Sequence, residues 1–529
     1  MPMGVAKGLR IRQILLASVG LMAASAAMLP ARAEKNVTAV LEAEVVTLDP
    51  HYTTAYISRT FDYLVFDTLF SVDSKFMVHP QMVDTYSVSD DKLVWTFTLR
   101  GGLKWHDGNP VTTADCIASL QRWEPRDGLG RLLATATASM EAVDAKTFTI
   151  HLKEPFPLML ETLGKPSSIV PFMIPERLAR TPGSQKITEM DGSGPFIFRK
   201  DLWRPGDVMV LDRNPNYVPR PEPADFLSGG KKVNIDRLTL KVIPDSATQV
   251  EALQSGEIDY LQYVPFDWLP RISSDHSLTL MGFGGIQMFQ GNYRVNAASG
   301  PFSDPAVRRV LWKLIDQNAT QEAIGIPPGD YLPECHSFWM CNTPLSTTAG
   351  TEAAKYSIDD ARAALKQTSY HGEPVVVLTA SDNGVITAAS SVLVDNLQKA
   401  GFIVDDQVMD WGTVLARRAK KEGWSIFPVY SSGFDQGSPL THFYVVNNCV
   451  DYAGWSCDAR VTKLLPELAK ATTLEEKRKI AEAIQRVEYE TVPSVMWGQF
   501  TEPAAYRTSL TGVIQSSIPI FWGLDKAGK

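Results

Sequence analysis

The stretch FTLRGGLKWHDGNPVTTADC, residues 97–116, decides the fold, because it reads either as chemistry or as tightly built scaffold. Leu93, Trp95, Phe97 and Leu99 alternate with Val94, Thr96, Thr98 and Arg100. That period of two predicts a strand with one buried face. Gly101-Gly102 turns the chain, and residues 103–106 are expected to open a second strand. Asp107-Gly108 and Asn109-Pro110 are turn signals. Thr112-x-x-Asp115 is a capping box that opens a helix carrying Ile117, Leu120 and Trp123. His106 and Asp107 are neighbours, so in an extended chain they point to opposite faces and form no catalytic dyad. The expectation is scaffold, with a ligand contact by His106 as the alternative.

Working outward, the chain reads as two α/β runs. Residues 238–243 form a strand, Pro244-Asp245-Ser246 caps a helix over 247–254, Gly256 ends it, and 258–264 return as a strand. That is a βαβ unit, for which a right-handed crossover is expected. A second run starts at Pro374: strand 375–378, helix 386–400 stopped by Gly401, strand 402–409, helix 413–420 and strand 424–430. The glycines of Phe283-Gly284-Gly285 could hinge between the two runs.

Residues 1–33 read as a secretory signal. Lys7, Arg10 and Arg12 precede an apolar stretch at 14–29, and Ala31-Arg32-Ala33 gives the small-x-small cleavage pattern. The apolar stretch is shorter than the ~20 residues of a spanning helix. No Cys stands at the cleavage point, so a lipid anchor is not expected, and a soluble periplasmic protein fits. The net charge is −8, and it becomes more negative once the four basic residues of the signal are removed. That disfavours nucleic acid or an anionic membrane as partner. At 529 residues the chain exceeds one hydrophobic core.

The cysteine spacing suits an oxidising compartment. Cys335 with Cys341, and Cys449 with Cys457, read as two local disulfides, leaving Cys116 as a small apolar residue of the helix. No paired C-x-x-C spacing suggests a metal site. No G-x-S-x-G or H-E-x-x-H pattern appears, and no phosphate-binding G-x-x-x-x-G-K-[ST]. An enzyme is not expected. A secreted hydrolase and a chaperone-like protein are the readings from other classes.

The quoted stretch resembles the signature of the extracellular solute-binding proteins of the peptide and nickel family, which serve ABC importers. Further segments resemble the family in the same order: AEVVTLDP at 43–50, Gly192-Ser193-Gly194-Pro195-Phe196, VLDRNPNY at 210–217, IPDSATQVEALQSGEIDY at 243–260, and Pro301-Phe302-Ser303-Asp304 through Val307-Arg308-Arg309. The resemblance implies a two-lobed α/β periplasmic-binding-protein fold with a hinge between the lobes. It implies lobe one over 34–285, with an inserted subdomain at about 71–190, lobe two over 286–497, and a return to lobe one over 498–529. The second hinge is expected around 495–499. The implied function is capture of a small peptide or peptide-like polar solute for an inner-membrane permease with cytoplasmic ATPase subunits, by a monomer without a cofactor. Opines, nickel chelates and haem are the alternative ligands.

Open α/β sheets bind ligands beyond the carboxyl ends of their strands. That rule selects the loop 48–54, with Tyr52 and Thr53, and less surely Pro244-Asp245. In the second run it selects Ser381-Asp382-Asn383, Asp410-Trp411 and the segment Ser432, Gly433, Phe434 and Asp435. Tyr52, Trp411 and Phe434 could stack on a solute, Asp435 could pair with an amine, and Arg418 with a carboxylate. Core packing is the competing role for the aromatics, and a solvated helix face for Arg418. Peptide-binding family members hold the ligand's α-amino group with an acid in the loop corresponding to 431–439. Here Gly433 aligns with that acid, and Asp435 stands two residues later.

Overall fold

The computed structural model describes residues 34–527. The expected signal segment lies outside the described residues. Three sheets organise the rest. A seven-stranded sheet has the order Phe196–Phe198, Val208–Arg213, Arg237–Lys241, Asn36–Val40, Tyr260–Leu261, Ala504–Arg507 and Leu278–Met281. Its centre is parallel, with Asn36–Val40 paired to Arg237–Lys241 on one side and to Tyr260–Leu261 on the other. A six-stranded sheet has the order Tyr331–Leu332, Ser494–Phe500, Phe289–Val295, Ile426–Ser432, Val375–Ala380 and Val404–Met409. A four-stranded antiparallel sheet joins Val83–Val88, Val94–Leu99, Thr147–Leu152 and Thr137–Ala142. The two larger sheets are the floors of the two lobes.

Local chemistry explains why these segments adopt these forms. The helix Gly384–Ala400 begins where Asn383 accepts a bond from the Ile386 N–H, and it ends at Gly401 in the left-handed conformation. Asp245 caps Ser246–Ser255, which Gly256 closes in the same way. At Thr112 the capping box forms in full, opening Thr113–Trp123. The strand expected at 103–106 is reduced to a single bridge between Lys104 and Pro110. Gly102 and Gly108, both at positive φ, fold that segment back before a ladder can extend. The return strand expected over 258–264 is likewise short, pairing only at Tyr260–Leu261.

The chain passes between the larger sheets twice. Leu278–Met281 lies in the first sheet and Phe289–Val295 in the second, so the first crossover spans 282–288, over the expected glycines. Ser494–Phe500 remains a strand of the second sheet and Ala504–Arg507 belongs to the first. The second crossover therefore spans 501–503, beyond the expected 495–499, because residues 495–499 are held in the ladder with Phe289–Val295. Among the described residues no helix is long and apolar enough to cross a membrane.

Both cysteine pairs, Cys335–Cys341 and Cys449–Cys457, are disulfides, and Cys116 is free and buried.

Candidate functional site

The opening motif is scaffold by every contact it makes. The His106 N–H donates to the Gly192 carbonyl at 2.7 Å, and its ring Nε2 lies 3.2 Å from the Gly194 carbonyl. Asp107 accepts from the backbone and side-chain nitrogens of Asn109, closing the turn. Trp105 is buried in the core with Phe97 and Trp123. Burial pushes the His106 imidazole down to about 4, so it is neutral at ordinary pH. The turn thereby buttresses the Gly192–Gly194 step, where a Cβ on Gly192 would fall 1.8 Å from the Val65 carbonyl oxygen.

That step backs the helix Tyr56–Val65, in which every residue after Tyr56 is buried. The helix carries a guanidinium into the molecule. Arg59, 5% exposed, donates to the Ser167 hydroxyl at 2.6 Å and lies 4.7 Å from the Tyr56 ring centroid. The Ser167 hydroxyl in turn donates to Asp435 Oδ2 at 2.9 Å. Tyr56 Oη accepts the Ser432 N–H at 2.8 Å. Beside them Lys165 pairs with Asp127, which also caps the helix Gly128–Ala136. Asp435 is 1% exposed, and burial raises its carboxyl to about 6, opposed by the charges of Lys165 and Arg59 and by the hydroxyls of Ser167 and Tyr56.

These contacts join the end of the strand Ile426–Ser432 to elements of the other lobe. Further contacts link segments flanking the four-stranded sheet to segments that follow the strand Ile426–Ser432. Arg131 donates to Asn447 Oδ1 at 2.9 Å, and Lys470 pairs with Glu154 at 2.8 Å. Phe434 packs with Phe76 and Phe226, at 5.5 and 5.9 Å between centroids, inside the core of the first lobe. Its ring is thus core packing. Gly433 is pressed against the first crossover: its N–H donates to the Met288 carbonyl, and a Cβ there would stand 2.4 Å from the Ile286 carbonyl oxygen.

The other expected residues fall into two separate groups. Trp411 starts the helix Trp411–Arg418, and its N–H is held by Asp382 at 2.9 Å. Arg418 lies 5.8 Å from the Trp411 ring and 5.5 Å from Phe427. Tyr52 sits under Arg126 and Lys186, at 5.5 and 4.9 Å from the ring centroid, and Thr53 Oγ1 accepts the Ala55 N–H. Among the described residues no hydrogen bond, ion pair or ring contact links either group to Asp435. Asp245 is exposed and caps its own helix. No cluster of three or more His, Cys, Asp or Glu side chains among the described residues could hold a metal.

Sequence reasoning missed Tyr56, Arg59, Lys165 and Ser167. A signal existed for one of them. In AYISRTFDYLVF, Arg59 and Asp62 interrupt a strongly apolar helix, and a charge so placed must find a partner inside.

Residues 77–453 match the family model for bacterial extracellular solute-binding proteins, family 5 Middle. The probable peptide ABC transporter periplasmic-binding protein y4tO of Sinorhizobium fredii is 37% identical over 512 residues, covering 94% of each chain. Among solved structures, AgaA of A. tumefaciens R10, in complex with agropinic acid, superposes with a TM-score of 0.78 at 22% identity, over 93% of this chain and 99% of that one. DppA of Helicobacter pylori, in complex with the peptide STSA, gives 0.79 at 18% identity, over 94% and 99%.

Proposed function

The chain belongs to the bacterial extracellular solute-binding proteins of family 5, and from that membership we propose that it captures small peptides for an ABC importer. The observation that carries the peptide assignment is the match, over 94% of each chain, to a relative named as a probable peptide ABC transporter periplasmic-binding protein. The protein acts in the periplasm after export, as a binder rather than an enzyme. It delivers its solute to a membrane permease whose energy comes from separate ATPase subunits.

The mechanism is closure of two lobes about the paired crossovers at 282–288 and 501–503. Solute enters the open cleft, and closing makes the contacts of Ser167 with Asp435 and of Tyr56 with Ser432. In this scheme Ser432, Gly433, Phe434 and Asp435 form the latch. Trp411 and Arg418 offer a stacking face and a charge for a carboxylate, and Tyr52 and Thr53 line the facing loop. The closed pair of lobes is the surface that the permease recognises.

Native mass spectrometry of protein purified from the periplasm, followed by calorimetric titration with tri-alanine, tests the assignment. Co-purified peptide masses and saturable tri-alanine binding are expected. An opine mass with no response to any peptide would replace peptide by opine as the cargo.

A further inference from the structure

Beside the second crossover the fold places a buried carboxylate, Glu502, and a half-buried one, Glu42, near four aromatic rings. Glu502 lies in the second crossover, 8% exposed, and its Oε2 has no hydrogen-bond partner among the described residues. Glu42 follows the first strand of the seven-stranded sheet and accepts the Tyr263 hydroxyl at 3.3 Å. Burial, with a smaller contribution from the charge of Glu42, raises Glu502 to about 8, and burial raises Glu42 against the opposing charge of Arg59 and the bond from Tyr263. Both charges act on Tyr263 and on Tyr430, whose hydroxyl accepts a bond from Asn383 at 3.3 Å. The rings complete the enclosure. Tyr263 stands 5.9 Å from Phe289, Phe289 5.3 Å from Tyr430, Tyr430 5.5 Å from Phe500, and Phe500 5.8 Å from Phe289.

Among the described residues one cation, Arg59, acts on this group. Arg59 acts on Glu42 and Tyr263, but its Nη1 is committed to Ser167, and it also serves Asp435. Arg59 divides its charge between Glu42 and Asp435, and among the described residues no cation offsets the burial of Glu502. Buried carboxylates that lack a counter-charge are costly, and a cation placed among them relieves both desolvation and mutual repulsion. Tyrosine and phenylalanine faces attract the same kind of group.

We propose that Glu42 and Glu502, walled by Tyr263, Phe289, Tyr430 and Phe500, form a subsite for a positively charged group of the bound solute, an ammonium or a guanidinium. The inference rests on the assignment of the chain as a peptide binder and narrows its cargo to cationic peptides. Phe289 follows the first crossover, and Phe500 and Glu502 flank and occupy the second. A cation seated here bridges both hinges, so its binding favours the shut arrangement.

The test is calorimetric titration with alanine tripeptides carrying one arginine, and with the same peptides carrying neutral citrulline, each with a free and with an acetylated amino terminus. Removing the charge is expected to weaken wild-type binding by about tenfold or more. Glu502→Gln and Glu42→Gln should abolish that discrimination while still binding the neutral peptides. Loss on the citrulline change assigns the subsite to a side chain, and loss on acetylation assigns it to the α-amino group. Equal wild-type affinity for all four sets, or discrimination retained in both variants, overturns the subsite while leaving peptide binding standing. If no set binds, the peptide assignment fails. The subsite is then decided by agmatine, which must raise the melting temperature of wild type and leave Glu502→Gln unmoved. Glu502→Gln is isosteric and removes a buried acid, so without solute it should melt no lower than wild type; a lower melting temperature would also overturn the charge balance argued for the site.

Discussion

The Ser167 hydroxyl donates to the Asp435 carboxylate at 2.9 Å, a bond spanning 268 positions of sequence and made between the lobes. Ser167→Ala would strip the shared partner from both Arg59 and Asp435. Leaving buried charged groups short of a hydrogen bond costs ~1–3 kcal/mol. The urea midpoint should fall accordingly. Small-angle scattering of the solute-free variant should give a larger radius of gyration than wild type. An unmoved midpoint and radius would show that the bond holds nothing together.

Trp411→Ala tests the proposed stacking face. The ring is half-buried, and Arg418 leans on it at 5.8 Å. Truncating an aromatic at a desolvated contact costs ~2 kcal/mol or more. Tri-alanine affinity should fall by more than about tenfold. Unchanged affinity would place Trp411 and Arg418 outside the site.

Buried histidines weaken the fold as pH falls. Burial depresses His51 and His106 to about 4 and His442 to about 3, all from 6.5. A base held below its unfolded value contributes stability that is present above pH 6.5 and lost as pH falls through the folded values. Their contribution should therefore fall from about pH 6.5 towards 4, against the opposite trend of the raised carboxyls of Glu488 and Glu502. His106→Gln should lower the melting temperature at pH 7, with a cost of ~0.5–3 kcal/mol, and the difference from wild type should shrink as pH falls towards the folded value of His106. A variant that keeps its melting temperature but loses solute binding would show that the motif touches the ligand.

Glu488 works in the opposite direction. It is buried, and its carboxyl is raised to about 8, with Arg294 opposing the shift. An acid held above its unfolded value costs stability as pH rises from 4.5 to the folded value. Glu488→Gln should match wild type near about pH 4.5 and melt higher near about pH 9. Equal pH profiles for the two proteins would refute the assignment.

The disulfides close short loops, six and eight positions long. Each stabilises by roughly 2–3 kcal/mol on chain-entropy grounds. Reduction should lower the denaturant midpoint, and mapping should find the pairs 335–341 and 449–457. Cys116 is fully buried and its thiol is pushed well up, so alkylation should require unfolding. Rapid labelling of the native protein would contradict this.

How much of this was legible in the sequence follows from the range of each interaction. The capping box at Thr112 and Asp115, the helix ends at Gly256 and Gly401 and the short disulfides are local and could be read directly. The lobe boundary contacts could not. Arg59 meets Ser167 and Ser167 meets Asp435 across more than a hundred residues each, and no local pattern encodes such a meeting. Phe434 looked available for stacking because it lies just beyond the carboxyl end of a predicted strand. Only the approach of Phe76 and Phe226 from the first lobe reveals its burial. The strand at 103–106 failed because two left-handed glycines outweighed a short apolar pattern.

The placement of Ala504–Arg507 between Tyr260–Leu261 and Leu278–Met281 has a consequence for biogenesis. A chain emerging from its amino end produces both neighbours early, yet the strand that joins them comes more than two hundred residues later. Until then the lobe begun first has two unsatisfied edges, exposed to mispairing and to chaperones. The lobe begun second has its last strand, Ser494–Phe500, just before that closing segment arrives. Maturation therefore runs from the inside of the sequence outward. A stop codon or protease cut just after residue 500 would leave a nearly complete protein whose oldest part never finishes assembling.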